Sequence, residues 1–122
     1  MSSEFVWSLK NGDLEQVQEY INQSKIDVNE CVDGRMPLHY AADYGQKDII
    51  RFLIEKGANV NALDKHGISP LLAAIWEGHT DCIKLMIEKG ASIDGKTPEG
   101  LTYFEAAEKQ EIKNLLKSLK AI

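Results

Sequence analysis

Basic residues are the scarcer charge in this chain: 14 Lys and Arg stand against 19 Asp and Glu, for a net charge of −5. That balance opposes broad contact with nucleic-acid phosphates or an anionic membrane, and it suits a partner with a basic surface. Long apolar runs are missing. None approaches the ~20 residues a helix needs to cross a bilayer. Met1-Ser2-Ser3-Glu4 also lacks the basic and apolar regions of a secretory signal, so neither a membrane span nor export is expected. Cysteine is nearly absent: Cys31 and Cys82 lie 51 apart with no second pair to complete a zinc site, and two reduced thiols are expected.

Catalytic machinery is lacking as well. No nucleophile, base and orienting group form a recognisable set. His39, His66 and His79 do not follow the H-E-x-x-H spacing of a helical metal site, and no G-x-x-x-x-G-K-[ST] run is present to cradle phosphate. No catalytic residue, cofactor or metal is expected, and an enzyme is not the expected reading.

What the chain has is repetition. Its 43% hydrophobic and 27% charged residues are ordinary for a folded domain, and 122 residues fit one unit, 1–122. "DGRMPLHYAADYG" from Asp33 returns as "KHGISPLLAAIWEG" from Lys65, with Gly34/Gly67, Pro37/Pro70, Leu38/Leu71, Ala41/Ala74 and Gly45/Gly78 each 33 apart. The series Gly12, Gly45, Gly78 and Gly34, Gly67, Gly100 extend the period to four units, approximately 1–32, 33–65, 66–98 and 99–122.

Within a unit, Pro37 or Pro70 suits the first position of a helix, where its missing N–H costs nothing. Leu38, Ala41 and Ala42, like Leu71, Ala74 and Ile75, then fall at helical spacing on one narrow apolar face. A second helix carries Ile49, Ile50, Phe52, Leu53 and Ile54, or Cys82, Ile83, Leu85, Met86 and Ile87, so it needs neighbours on two sides. Gly57 and Gly90 are expected to close these helices in the left-handed conformation, ahead of an extended finger. Such a unit resembles the ankyrin repeat. The expected fold is all-α: an ankyrin-repeat solenoid of four stacked helix-turn-helix units with extended finger loops.

The outer units are written differently. Gln16 and Glu19 stand where the second unit has Ile49 and Phe52, while a four-residue deletion puts Glu111 and Asn114 at the places of Cys82 and Leu85. Polar outer sides are what a finite stack requires at its ends. Met36 offers no capping hydroxyl, so fraying is expected there, whereas Thr102 and Glu105 have capping-box spacing. His39 is expected to be structural. Lys109, Lys113, Lys117 and Lys120 form a stripe that reads as a solvated helix face.

Stacking fixes the framework, so recognition should lie where the units differ on their exposed side. Asp43 and Tyr44 become Trp76 and Glu77 one period later, and Asp33, Arg35, Lys65, His66, Ile68 and Glu99 vary along the fingers. Trp76 is the expected aromatic anchor, since truncating such a side chain in an interface costs ~2 kcal/mol or more. Trp7 and Tyr40, 33 apart, are expected to meet at the first unit boundary in a mainly structural role.

The stretches "FVWSLKNGDLEQV", "PLHYAADYGQ", "DKHGISPLLAAIWEGH" and the shortened ending "GLTYFEA" resemble the myotrophin family along nearly the whole chain. The resemblance implies a cytoplasmic monomer that binds the heterodimeric actin capping protein and keeps it from filament barbed ends, by sequestration without chemistry. It implies a link to nuclear factor kappa B subunits too, and the nucleus stays open as a second location beside the cytoplasm. Asp43, Trp76, Glu77, Arg35, Lys65 and His66 would make the contacts, with Asp43 and Glu77 meeting basic groups. Two other readings stay open: a regulator of transcription-factor subunits, and a non-inhibitory adaptor. The adaptor would have to fit two interfaces of about 800 Å² per partner on a small body.

Overall fold

A computed structural model describes residues 3–23 and 27–119. Among the described residues eight helices follow in order: α1 (Ser3–Asn11), α2 (Leu14–Asn22), α3 (Pro37–Asp43), α4 (Lys47–Glu55), α5 (Pro70–Glu77), α6 (Thr80–Glu88), α7 (Tyr103–Ala106) and α8 (Gln110–Ser118). Each consecutive pair packs as an antiparallel hairpin. Across the stack, α1, α3, α5 and α7 form one row, and α2, α4 and α6 form the row behind it.

The apolar pattern explains the two rows. Ala41, Ala42, Ala73 and Ala74 are buried where α3 and α5 press together, and their short side chains let the backbones approach. Behind them Ile49, Ile50, Leu53, Ile83 and Met86 are almost wholly buried between units. Burying each such large side chain contributes about 1.5–3 kcal/mol relative to leaving it in water. At the ends Glu19, Glu111 and Asn114 are exposed, while Val17, Ile112 and Leu116 are buried, so the outermost helices show water one side only.

The helix starts use three different devices. Ser69 caps α5 by accepting the Leu72 N–H at 3.1 Å. Thr102 and Glu105 close a full capping box on α7, and the bonds from Thr102 hold the Glu105 carboxyl below its usual range. At Met36, where fraying is expected, a histidine supplies the missing partner. His39 Nδ1 accepts the Met36 N–H at 3.2 Å, and the opposite ring nitrogen, Nε2, lies 2.8 Å from the Ile68 carbonyl in the next unit. A nitrogen that accepts an N–H carries no proton itself, so Nε2 carries it and donates. Burial lowers the His39 pKa, because the charged ring would lose its hydration and its acceptor nitrogen.

Gly57 and Gly90, at φ +97° and +99°, end α4 and α6 as expected. The bonds Ala58 N–H to Leu53 O and Ala91 N–H to Met86 O, both 2.9 Å, complete a left-handed closing turn. Two series of polar bonds then tie unit to unit. Gln46 donates to Lys10 O at 2.8 Å, His79 Nε2 lies 2.9 Å from Asp43 O, and Lys109 donates to Gly78 O at 2.7 Å. Asn29 donates to Gly57 O and accepts the Asn59 N–H; Asn61 does the same with Gly90 O and the Ser92 N–H.

The fingers are not copies of one another. Val32 and Arg35 exchange both backbone bonds around a two-residue tip, Asp33–Gly34, whose φ angles are +54° and +81°. Two successive positive φ values make the twisted turn that matches a hairpin's own twist, and Asp tolerates them better than most residues. The next finger has three tip residues, Lys65–Gly67, closed by Asp64 N–H to Ile68 O at 2.9 Å. Asn29 and Asn61 are therefore 32 residues apart, although Gly34 and Gly67 remain 33 apart.

Candidate protein interface

Residues at the ends of α1, α3 and α5 line up across the stack. Lys10, Asp43 and Trp76 occupy one row of equivalent positions, and Asn11, Tyr44 and Glu77 the next, each a period of 33 apart. Tyr44 is 47% exposed and Trp76 40%, large values for aromatic rings in so small a protein. The stacked framework beneath them is rigid, so these side chains are held in register without contributing to the core.

Asp43, Tyr44, Glu77 and His79 surround an open hollow of about 370 Å³. Its two carboxylates differ. Asp43 lies 3.5 Å from the Arg35 guanidinium, whereas Glu77 makes no ion pair among the described residues. Glu77 is thus the carboxylate readier to meet a cation from outside, and Trp76 is its chain neighbour.

Arg35 is half-buried rather than a free finger residue. Its guanidinium lies 3.8 Å from the nearly buried Asp64 carboxylate and 5.0 Å from the Tyr40 ring centre. The reason is the short finger: a two-residue tip returns Arg35 directly over α3, where Asp43, Asp64 and Tyr40 surround it. Ile68 is also partly buried against the core, so of the expected finger contacts Asp33, Lys65, His66 and Glu99 are the exposed ones. Lys65 is exposed at its tip, but its stem crosses Gly34, where a side chain would collide, and its N–H donates to Gly34 O at 3.0 Å. In the last finger Pro98 stands at the corresponding place and has no N–H to give.

Lys10 was not among the expected contacts. Its ammonium lies 5.7 Å from the Tyr40 ring centre and 5.5 Å from that of Tyr44, joining the first unit to the strip. Its place 33 residues before Asp43 was the available signal. Trp7 and Tyr40 do not meet: Tyr40 is buried with its hydroxyl on Val32 O at 2.8 Å, while Trp7 is 55% exposed. The ring pair of the first unit is Phe5 with Tyr20, 5.4 Å apart.

The histidines divide by burial. His39 is internal and His66 is exposed at a finger tip, its N–H bonded to Asp64. Cys31 is exposed, and Cys82 is buried, which raises its pKa and keeps it a thiol. Among the described residues no group of three or more His, Cys, Asp or Glu is placed to hold a metal ion. No described helix is long and apolar enough to cross a membrane. Lys109 belongs to a unit tie rather than a free stripe, Lys113 lies 5.2 Å from the Phe104 ring centre, and Lys120 falls outside the described residues.

Stacked helix pairs, left-handed glycine closures and a strip of unlike side chains on a repeated frame define a protein-binding ankyrin-repeat protein. The family described as "Ankyrin repeats (3 copies)" matches residues 5–97. Proteins named myotrophin are similar over a still longer stretch: 53% identity for the Xenopus tropicalis protein and 55% for those of Gallus gallus and Homo sapiens. In each case 93% of this chain and 96% of the relative are covered. The chain belongs to the myotrophin family of ankyrin-repeat proteins.

Proposed function

We propose that this chain binds the heterodimeric actin capping protein through the strip formed by Asp43, Tyr44, Trp76 and Glu77, and so keeps that protein from filament barbed ends. The observation that carries the reading is a likeness to myotrophins over 93% of the chain, combined with an exposed Trp–Glu pair beside a second carboxylate and a tyrosine. Trp76 is the anchor, buried on binding. Glu77 pairs with a basic group of the partner, and Asp43 does so by exchanging part of its contact with Arg35. The chain acts as a cytoplasmic monomer and by occupation alone, with no bond made or broken.

The test is barbed-end elongation from actin seeds in the presence of purified capping protein. The chain restores growth in proportion to its concentration, and Trp76→Ala restores it poorly while keeping its thermal melt. No restoration by the unmutated chain would overturn the reading. Retention of nuclear factor kappa B subunits in a pull-down that leaves capping protein behind would favour the transcription-factor regulator in its place.

A further inference from the structure

The first unit holds an aromatic group that the strip does not use. Trp7 occupies the place in α1 that Tyr40 occupies in α3, yet their surroundings differ. Tyr40 is covered by its finger, through Val32 and Arg35, and by the preceding unit, through Lys10. Among the described residues neither kind of cover lies over Trp7. It borders an open hollow of about 470 Å³ with Ser3, Glu4 and Gln16. A second hollow of about 200 Å³, lined by Glu4, Gln16, Glu19 and Tyr20, adjoins it through the two residues they share.

Within this fold, cations repeatedly lie over aromatic rings, buried and exposed alike. Lys10 lies 5.7 Å from Tyr40 and 5.5 Å from Tyr44, Arg35 5.0 Å from Tyr40, Lys56 5.8 Å from Phe52, and Lys113 5.2 Å from Phe104. Indole is the strongest such acceptor among the side chains, and Trp7 has no cation over it among the described residues. Among the described residues, the charged groups that line the two hollows are negative. Glu4, which accepts the Tyr20 hydroxyl with one oxygen at 3.2 Å, stands beside the ring, and Glu19 lies further along the same face. Gln16, which both hollows share, is bonded to Ser8.

We infer that the N-terminal end of the stack is a second docking surface, on which Trp7 and Glu4 receive an arginine or lysine side chain from a basic segment of a protein partner. The cation stacks on the indole as Arg35 stacks on Tyr40, and the carboxylate of Glu4 compensates its charge. The surface lies about one turn of α1 from Lys10 of the strip and does not depend on which partner the strip binds. A partner engaging both would hold the domain at two points joined by the rigid stack.

The test uses Trp76→Phe, which leaves Trp7 as the sole tryptophan, and a hexa-arginine peptide read by tryptophan fluorescence. The expected result is a saturable change that hexacitrulline does not produce and that added salt weakens. On the same background Glu4→Gln weakens binding by about threefold, whereas Glu88→Gln, an equal charge change on α6, does not. In the unmutated chain the Trp7 indole N–H resonance, identified by its loss in Trp7→Phe, shifts with the arginine peptide. No saturable response, an equal response to hexacitrulline, or equal losses for Glu4→Gln and Glu88→Gln would overturn the inference.

Discussion

The second and third units share a helix-pair frame and its packed residues, and differ where a helix starts and where it ends at the surface. His39 starts α3 by bonding back to Met36 and across to Ile68, whereas Ser69 starts α5 with its hydroxyl and meets the Tyr103 hydroxyl at 2.7 Å. Both solutions satisfy a helix start and tie it to the following unit. At the other end of the same helices Asp43 faces Trp76 in the alignment, and neither is needed by the core. The frame accepts unlike chemistry wherever geometry is met, and it leaves the exposed ends free for recognition.

The sharpest way to break the comparison is to give one unit the other's residue. Leu72 stands 33 after His39, so His39→Leu imports the third unit's solution without its serine. The Met36 N–H is left without a partner and the Ile68 carbonyl keeps only the Asp64 N–H, which should cost about 1–3 kcal/mol in urea unfolding at neutral pH. The pH dependence follows from the lowered His39 pKa. As pH falls, the unfolded chain takes up the imidazole proton before the folded one does. The histidine's contribution is therefore complete above its ordinary value of 6.5 and declines below that towards the lowered folded value. His39→Leu should remove that part of the slope.

A second comparison separates frame from recognition. Trp76→Ala should cost about 2 kcal/mol in capping-protein affinity, roughly 30-fold, and shift the melt little. Ser69→Ala should do the reverse: about 1 kcal/mol of stability, read by chemical unfolding, with binding per folded molecule unchanged. The smallest effect sharpens the contrast between the two carboxylates. Glu77→Gln should lower the association rate a few-fold at low salt, and the difference should fade as salt is added. Because Asp43 is already paired with Arg35, Asp43→Asn should change that rate less.

Much of this was legible from spacing. The glycine series placed the closing turns, the prolines placed the helix starts, and the Gln16, Glu19, Glu111 and Asn114 substitutions marked the ends, because each is a local response to backbone geometry or water. The fate of Met36 was not legible, since its partner is a ring nitrogen whose other side is fixed from the next unit. Arg35 was misplaced among the free finger residues for a similar reason. A tip shortened to Asp33–Gly34 turns it inward, and the constant 33-residue glycine spacing hides that shortening.

The sequence by itself determined the repeat, the number of helix pairs and which helix faces must be buried, because these follow from periodicity along one chain. Only the tertiary structure decided which exposed groups are already engaged. Arg35 meets Asp43 and Asp64 because its own unit folds back on itself, Lys10 lies above Tyr40 and Tyr44 because two units stack, and Trp7 is left exposed. Those distances are set by how each unit closes and how the units stack, and no spacing along the chain contains them.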